Sequence, residues 1–431
     1  MQRAFRPSWG YRLLAALAFA AFRGLARLGH SGAQRWWALR RPEGLQELAE
    51  ATARLASGER WRWVHCASVG EYEQALPVIE ALKASDAPIL LTYFSPSIGE
   101  PLGRKRPAWC GPKDHVVALP PDRPRAVRRF LAALSGEAGR PRVAWCALVK
   151  YEVWPELVAQ LTRAEVPVHL FAAHVVERAL PLRWWARTPR AAWKALASIR
   201  VQDEASVHRL GQIQLRAEVA GDPRFDRVLA IADANPDLAA VRSWIADRPC
   251  IVAGSTWPAE EGALADWWPG PEVALIVAPH EVDPEHLDAV TQSLSASVHR
   301  FSTPGPVKGD VLLIDGIGWL SRLYAVADIA VVGGGFGKGI HNVLEPAAHG
   351  VPILVGPQTH RFREAQALEA TGALRRLESP RELAPALDAW IADEPARRRA
   401  AAAARAYAES GRGSARQIAA ALEGAGSTEK F

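Results

Sequence analysis

The chain has 431 residues, 49% of them hydrophobic and 23% charged, with a formal net charge of +6. That length and apolar share suit two domains with separate cores and exclude a disordered or fibrous chain, while the modest positive charge favours anionic partners such as phosphorylated lipid or nucleotide. The four cysteines, Cys66, Cys110, Cys146 and Cys250, are far apart with no C-x-x-C pair, so neither a zinc site nor a disulfide framework is expected and a reducing cytoplasm fits best.

At the amino terminus Leu13 to Phe22 is uninterrupted apolar sequence, bounded by Arg12 and Arg23 with Arg27 beyond. The run is about half the roughly 20 residues that a bilayer span needs. On a helical wheel Leu14, Leu17, Ala21, Leu25 and Leu28 share a face while the arginines can snorkel, so the sequence predicts a helix lying in a membrane interface. A buried intramolecular helix is the alternative; a signal peptide fits poorly, because no small-residue cleavage site follows.

From Trp61 onward strands and helices alternate. Strands are predicted at Trp61 to Ala67, Ile89 to Tyr93, Val116 to Ala118, Val143 to Leu148, Val168 to Ala172 and Ser198 to Val201, with helical periodicity between them, as from Gln74 to Lys83 and Arg123 to Leu134. A second series comprises Cys250 to Ala253, Ala274 to Ala278, Val311 to Ile314, Ile329 to Val332 and Pro352 to Val355. Such alternation specifies doubly wound parallel sheets, so the fold class is α/β with two Rossmann-like domains facing a cleft. The boundary is expected between Phe225 and Arg248, where Asp222-Pro223 and Asn235-Pro236 break the pattern. The alanine- and arginine-rich tail from Pro380 to Leu422 reads as helices. Most of the 17 tryptophans are read as packing, with Arg183-Trp184-Trp185-Ala186-Arg187 as a second candidate membrane contact.

Open α/β sheets bind ligands at the carboxyl ends of their strands. Glu71 emerges there after the first strand, in Ser68-Val69-Gly70-Glu71, where a carboxylate can act as a general base; Glu152, in Lys150-Tyr151-Glu152, follows the fourth strand on the same edge. Taken singly, each carboxylate reads more readily as a charge at a helix N-terminus or as a surface residue, and it is their convergence on one sheet edge that raises the functional reading. In the second half the run Val331 to Pro346 joins a buried strand to a helix through Gly333, Gly334, Gly335, Gly337 and Gly339. Backbone N–H groups exposed there, together with a helix N-terminus near Asn342, are suited to an anion such as phosphate. Lys338 is followed by Gly339 rather than Ser or Thr, so this is not a Walker loop, and the run does not fit G-x-G-x-x-G. Glu345, one turn into that helix, could accept hydrogen bonds from ribose, while His341 and Asn342 line the mouth of the loop.

Several chemistries lack a motif. Pro284 interrupts any H-E-x-x-H after His280-Glu281, so no metal is expected; no G-x-S-x-G elbow is present. No zinc finger, RNP-like strand or long basic run supports a nucleic-acid partner.

Together, Ser68-Val69-Gly70-Glu71, Tyr151-Glu152-Val153-Trp154-Pro155, Gly221-Asp222-Pro223-Arg224-Phe225-Asp226, Gly333-Gly334-Gly335, His341-Asn342-Val343-Leu344-Glu345-Pro346 and Gly356-Pro357 resemble the 3-deoxy-D-manno-octulosonic acid (Kdo) transferases of lipopolysaccharide synthesis, in order and spacing over nearly the whole chain. The resemblance implies a GT-B glycosyltransferase fold, CMP-Kdo as donor, a lipid A precursor (lipid IVA) as acceptor, no cofactor, and work at the cytoplasmic face of the bacterial inner membrane. It implies Glu71 as catalytic base, with Glu152 and Arg224 assisting. Donor contacts are implied at Pro279-His280, Ile317-Gly318-Trp319, Gly334, Gly335, Lys338 and Asn342-Val343-Leu344-Glu345. The family has Pro-Arg at Pro279-His280, Met-Gly-Glu at Ile317-Gly318-Trp319, and Asn-Pro-Leu-Glu at Asn342 to Glu345. It also has Glu-Thr-Glu where this chain has Lys150-Tyr151-Glu152, and commonly lysine at Arg224.

The implied domains are a membrane-interface helix and connector over 1–40, an acceptor domain over 41–230 and a CMP-sugar domain over 231–431, with the last helices free to return to the first. The residues leave two other readings open: a transferase or epimerase using a uridine-diphosphate sugar, and an inactive lipid-binding homologue.

Overall fold

The computed structural model describes residues 5–136, 139–234 and 236–426, so Asn235 of the expected Asn235-Pro236 break lies outside the described residues. The chain divides into two compact units, Met1–Arg224 with Gly413–Phe431, and Phe225–Arg412.

The first unit is built on a seven-stranded sheet: β1 (Trp61–Cys66), β2 (Ile89–Tyr93), β3 (His115–Ala118), β4 (Val143–Val149), β5 (Val168–Ala173), β6 (Ser198–Val201) and β7 (Glu218–Val219), in the order β3-β2-β1-β4-β5-β6-β7. Every pairing is parallel. The inner strands are apolar on both faces because helices cover both, so Trp63, Leu90 and Leu148 enter one core while Val64, Leu91 and Val149 enter another. The order reverses between β1 and β4, where such a sheet opens a crevice beyond its strand ends.

The second unit repeats the plan with β8 (Cys250–Thr256), β9 (Ala274–Pro279), β10 (Val298–Arg300), β11 (Val311–Leu313), β12 (Ile329–Val332), β13 (Ile353–Val355) and β14 (Leu374–Arg376), in the order β10-β11-β9-β8-β12-β13-β14. Here the reversal lies between β8 and β12, which again are parallel neighbours. All eleven predicted strands form, with ends displaced by at most a few residues. The three that the sequence does not announce, β7, β10 and β14, are all edge strands of two or three residues. They are too short and too exposed to carry an apolar run.

The helix Trp9–Arg27 has no buried residue, which overturns the buried-helix alternative. Trp9 is 77% exposed, Leu14 68% and Leu28 85%. It is nevertheless held to the first unit. Tyr11 donates to Asp122 at 2.6 Å, Arg12 pairs with Glu156 at 2.9 Å, and Phe19 and Phe22 pack on Trp36. Asp122 also accepts from the N–H groups of Glu156 and Leu157, capping the helix Pro155–Arg163, and burial pushes its carboxyl up to about 6. No single described helix is long and apolar enough to cross a membrane.

Candidate active site

Glu71 lies in the first turn of the helix Val69–Leu82, which starts directly beyond β1 at the reversal point. Only 5% of the residue is exposed. Its Oε2 accepts from the Ala67 N–H at 2.5 Å, and the Ser68 N–H bonds it as well. The carboxylate therefore closes its own helix terminus, as a structural residue would. Burial outweighs those bonds: desolvation first, with the Glu152 charge adding to it, pushes the carboxyl up to about 7, against the Ala67 and Ser68 N–H groups and the Lys150 ammonium. A carboxyl with that affinity exchanges a proton near neutral pH.

Glu152 approaches from the end of β4, the strand beside β1, and burial raises its carboxyl too. The turn that delivers it is held by Lys150 in the left-handed region, φ 59°, with the Lys150 N–H donating to Phe171 at 3.0 Å. Arg224 is oriented by Asp222, with Nε 2.8 Å and Nη2 2.7 Å from Oδ2. The other oxygen, Oδ1, accepts from the Arg224 N–H at 3.0 Å and from Gln74 Nε2 at 2.7 Å. Gln74 lies one turn beyond Glu71 on the same helix face, so Asp222 ties Arg224 to the helix that carries Glu71. Tyr151 feels the charges of Glu71, Arg224, Glu152 and Asp222 together, which brings the three predicted groups of this unit into one electrostatic neighbourhood. Gln74 and Asp222 were not among the predicted site residues; the i, i+3 spacing from Glu71 is the sequence signal for the first.

In the second unit the glycine loop after β12 is tightly built. A Cβ on Gly333 would stand 2.2 Å from the Ser255 carbonyl oxygen, and one on Gly335 would stand 2.5 Å from the Gly356 nitrogen. The anion this loop holds belongs to the protein. Glu260 Oε1 accepts from Gly334 N–H at 3.0 Å, Oε2 accepts from Trp257 N–H at 3.1 Å, and Phe336 N–H also bonds this carboxylate. The expected cradle for a ligand phosphate is thus corrected at Gly334, whose N–H is directed inward to a buried carboxylate.

Outside the loop, side chains stack. The His280 ring lies on Trp257 with centroids 4.7 Å apart, His341 is 4.5 Å from His280, and Lys338 Nζ stands 3.6 Å from the centroid of the Trp257 ring. Burial, and then the neighbouring His280, lower the His341 imidazole. The two rings are close enough that charge on one opposes charge on the other, which is the second of those causes. Pro279 ends β9, and the His280 N–H continues the ladder to Thr256 at 3.0 Å. Asn342 Oδ1 accepts from the Leu344 N–H at 3.0 Å, and its Nδ2 donates to Glu345 Oε1 at 3.0 Å. The helix it opens, Leu344–Ala348, is a single turn.

Val343 and Leu344 are fully buried in the core with Leu229, so any ligand contact there comes from backbone atoms. The structure does not bring Ile317, Gly318 and Trp319 into that stack. Ile317 is 88% exposed, Gly318 has φ 93°, and Trp319 packs on Phe301 at 4.8 Å. Among the described residues no group of three or more His, Cys, Asp or Glu is placed to hold a metal ion.

Residues 40–227 match a family model described as 3-deoxy-D-manno-octulosonic-acid transferase (kdotransferase). A 3-deoxy-D-manno-octulosonic acid transferase from Bordetella pertussis is 32% identical over 446 residues, covering 94% of this chain and 97% of the relative. Another, from Aquifex aeolicus, is 29% identical over 74% of this chain and 83% of its own. Among solved structures, a UDP-GlcNAc 2-epimerase from Neisseria meningitidis bound to UDP-GlcNAc matches 84% of this chain and 98% of its own with a TM-score of 0.59. At 15% identity it shows the fold alone, the pair of doubly wound units known as GT-B. A match along nearly the whole length of the Bordetella protein carries more than fold, and the chain belongs to the 3-deoxy-D-manno-octulosonic acid transferase family.

Proposed function

We propose that this glycosyltransferase moves Kdo from CMP-Kdo to a hydroxyl of a lipid A precursor, with inversion, at the cytoplasmic face of the inner membrane. The observation that carries the reading is Glu71, a carboxyl buried at the reversal point of the first sheet and pushed up to about 7. In the proposed reaction Glu71 takes the proton of the acceptor hydroxyl as that oxygen bonds the anomeric carbon. The bond from that carbon to the donor phosphate oxygen breaks, and CMP leaves with the electron pair. Glu152 supports the reaction by raising the proton affinity of Glu71 and by favouring positive charge at the reacting carbon. Arg224, preset by Asp222, offers a permanent cation to the departing phosphate. On the donor side His280, Lys338 and the Asn342 terminus would meet phosphate and Glu345 would hold ribose; Pro279, Gly334 and Gly335 shape the surround, while Ile317 to Trp319 lie outside the stack.

The test is transfer from CMP-Kdo to a tetraacylated, bisphosphorylated lipid A precursor followed by product mass. A gain of one or more Kdo units supports the reading. No gain despite CMP binding removes this acceptor. CMP against UDP in competition separates it from a uridine-diphosphate reading, for which fold likeness is the support.

His280 stands where the family has arginine, and an imidazole is cationic only when protonated. His280→Arg, which supplies a permanent bidentate cation, should therefore tighten CMP binding by about tenfold, equivalent to about 1.4 kcal/mol. Titration calorimetry of parent and variant checks it, and an unchanged affinity would place His280 away from phosphate.

Docking on the membrane has two supports in the first unit. The exposed apolar face of Trp9–Arg27 is one; the other is Trp184 and Trp185, 84% and 59% exposed. They are linked, since Thr188 Oγ1 donates to Ser8 Oγ at 2.8 Å and accepts from the Ser8 N–H at 3.3 Å. Trp184→Ser with Trp185→Ser should weaken binding to anionic vesicles by about tenfold with little loss of stability, because both rings are already in water. Vesicle sedimentation measures this; undiminished binding would leave docking to the helix alone.

A further inference from the structure

A cavity of about 690 Å³ lies beside the helix Trp9–Arg27 in the first unit, away from the residues assigned to catalysis. Eight of its lining residues are arginines and none is acidic. Two of the eight are committed elsewhere: Arg12 pairs with Glu156, and Arg40 donates to the carbonyls of Trp36, Phe94 and Leu119. Arg23 lies over the Trp37 ring, 5.4 Å from its centroid. Arg41, Arg123, Arg125, Arg128 and Arg129 are exposed and have no carboxylate partner among the described residues.

Three features concentrate positive potential there. Arg125, Arg128 and Arg129 follow an i, i+3, i+4 pattern on the helix Pro124–Ala133, so they share a face and repel one another. That helix starts without a side-chain cap and without an acidic residue in its first turn, whose Pro124, Arg125 and Ala126 line the cavity. Its N-terminal end adds partial positive charge. The remaining wall is apolar, from Leu39, Leu45 and Val117, and the first helix contributes Ala16. An anion with an attached apolar group satisfies both parts of this lining, which a free anion does not.

We propose that this cavity holds the phosphate of an anionic membrane lipid, delivered along the exposed first helix. The inference rests on reading that helix as the membrane-facing element. The order β3-β2-β1 puts the cavity wall at the end of β3, two strands and so about 10 Å from the strand that leads to Glu71. It would fix the protein's orientation on the bilayer, and a bidentate guanidinium is well matched to phosphate.

The full-length protein in neutral detergent would be titrated calorimetrically with dihexanoyl phosphatidic acid, inorganic phosphate and dihexanoyl phosphatidylcholine. The acidic lipid is expected to saturate a single site. Arg125→Gln with Arg129→Gln, a pair of changes between good helix formers, should weaken it at least tenfold while the thermal unfolding temperature, followed by tryptophan fluorescence and circular dichroism, stays at the parent value and reports folding. The proposal fails if the double variant binds phosphatidic acid as the parent does. It fails equally if phosphatidylcholine binds as tightly, or if inorganic phosphate does, which would make this a free-anion site. These lipids are soluble and no transfer is measured, so loss of Kdo transfer or of vesicle docking would leave this result standing, and the reverse also holds.

Discussion

Replacement of Glu71 by glutamine is expected to lower Kdo transfer by a factor of roughly 10³ or more while leaving CMP affinity unchanged. The amide matches the carboxylate in size and keeps an oxygen for the Ala67 N–H, so the helix terminus should survive. It cannot take a proton. With the parent carboxyl at about 7, transfer should rise with pH through neutrality on a single-proton slope, and rapid-quench assays from pH 5.5 to 8.5 would record it. Near-parental turnover in the variant would remove Glu71 from the role of base.

The same carboxyl fixes the sign of a stability effect. Its proton affinity in the folded protein is raised from 4.5 to about 7, so its contribution is fully present below pH 4.5 and is lost as pH rises through 7. Glutamine removes that dependence. The variant should therefore gain relative to the parent between pH 5 and pH 8, by at most about 3 kcal/mol at 1.36 kcal/mol per unit. Urea unfolding at the two values measures it. A base buried at some cost to folding is what a catalytic carboxylate requires and a purely structural cap does not.

How much of this was legible in the sequence depends on whether a signal is local. The central strands are apolar runs bounded by turns, so β2, β6 and β12 could be read to the residue, and with them the sheet edge where Glu71 and Glu152 emerge. The first helix could be read from its unbroken apolar stretch. What holds it, Tyr11 against Asp122 and Arg12 against Glu156, could not, because those partners are more than 100 residues away and have no pattern of their own. The link from Arg224 through Asp222 to Gln74 is hidden for the same reason. The glycine loop was legible as an anion site, but not that its anion is Glu260, 74 residues earlier. A run of glycines shows that N–H groups can be exposed; only packing shows what occupies them.

Alanine at Gly335 should destabilise the second unit by about 3 kcal/mol or more and abolish CMP binding with it. Its Cβ would lie 2.5 Å from the nitrogen and 2.7 Å from the Cα of Gly356, and a Cβ on Gly356 would meet the Gly335 carbonyl carbon at 2.4 Å. Both obstructions are main chain, so no rotamer change relieves them, and the loops after β12 and β13 would have to part. Parting them strains the bond from the Gln358 N–H to the Gly335 carbonyl, now 3.0 Å, and the Glu260 carboxylate that caps the same turn. An unsatisfied buried carboxylate is more costly than the lost contact itself. Gly337→Ala is the control, because a Cβ there meets nothing within 4 Å, and its stability should stay within about 0.5 kcal/mol of the parent. Thermal unfolding of the two variants side by side, with CMP titration of each, separates a loop that needs glycine for close approach from one that needs it only for freedom of backbone. Equal unfolding temperatures would mean that the two loops can part at little cost, and the glycine pair would then have to be explained by ligand access.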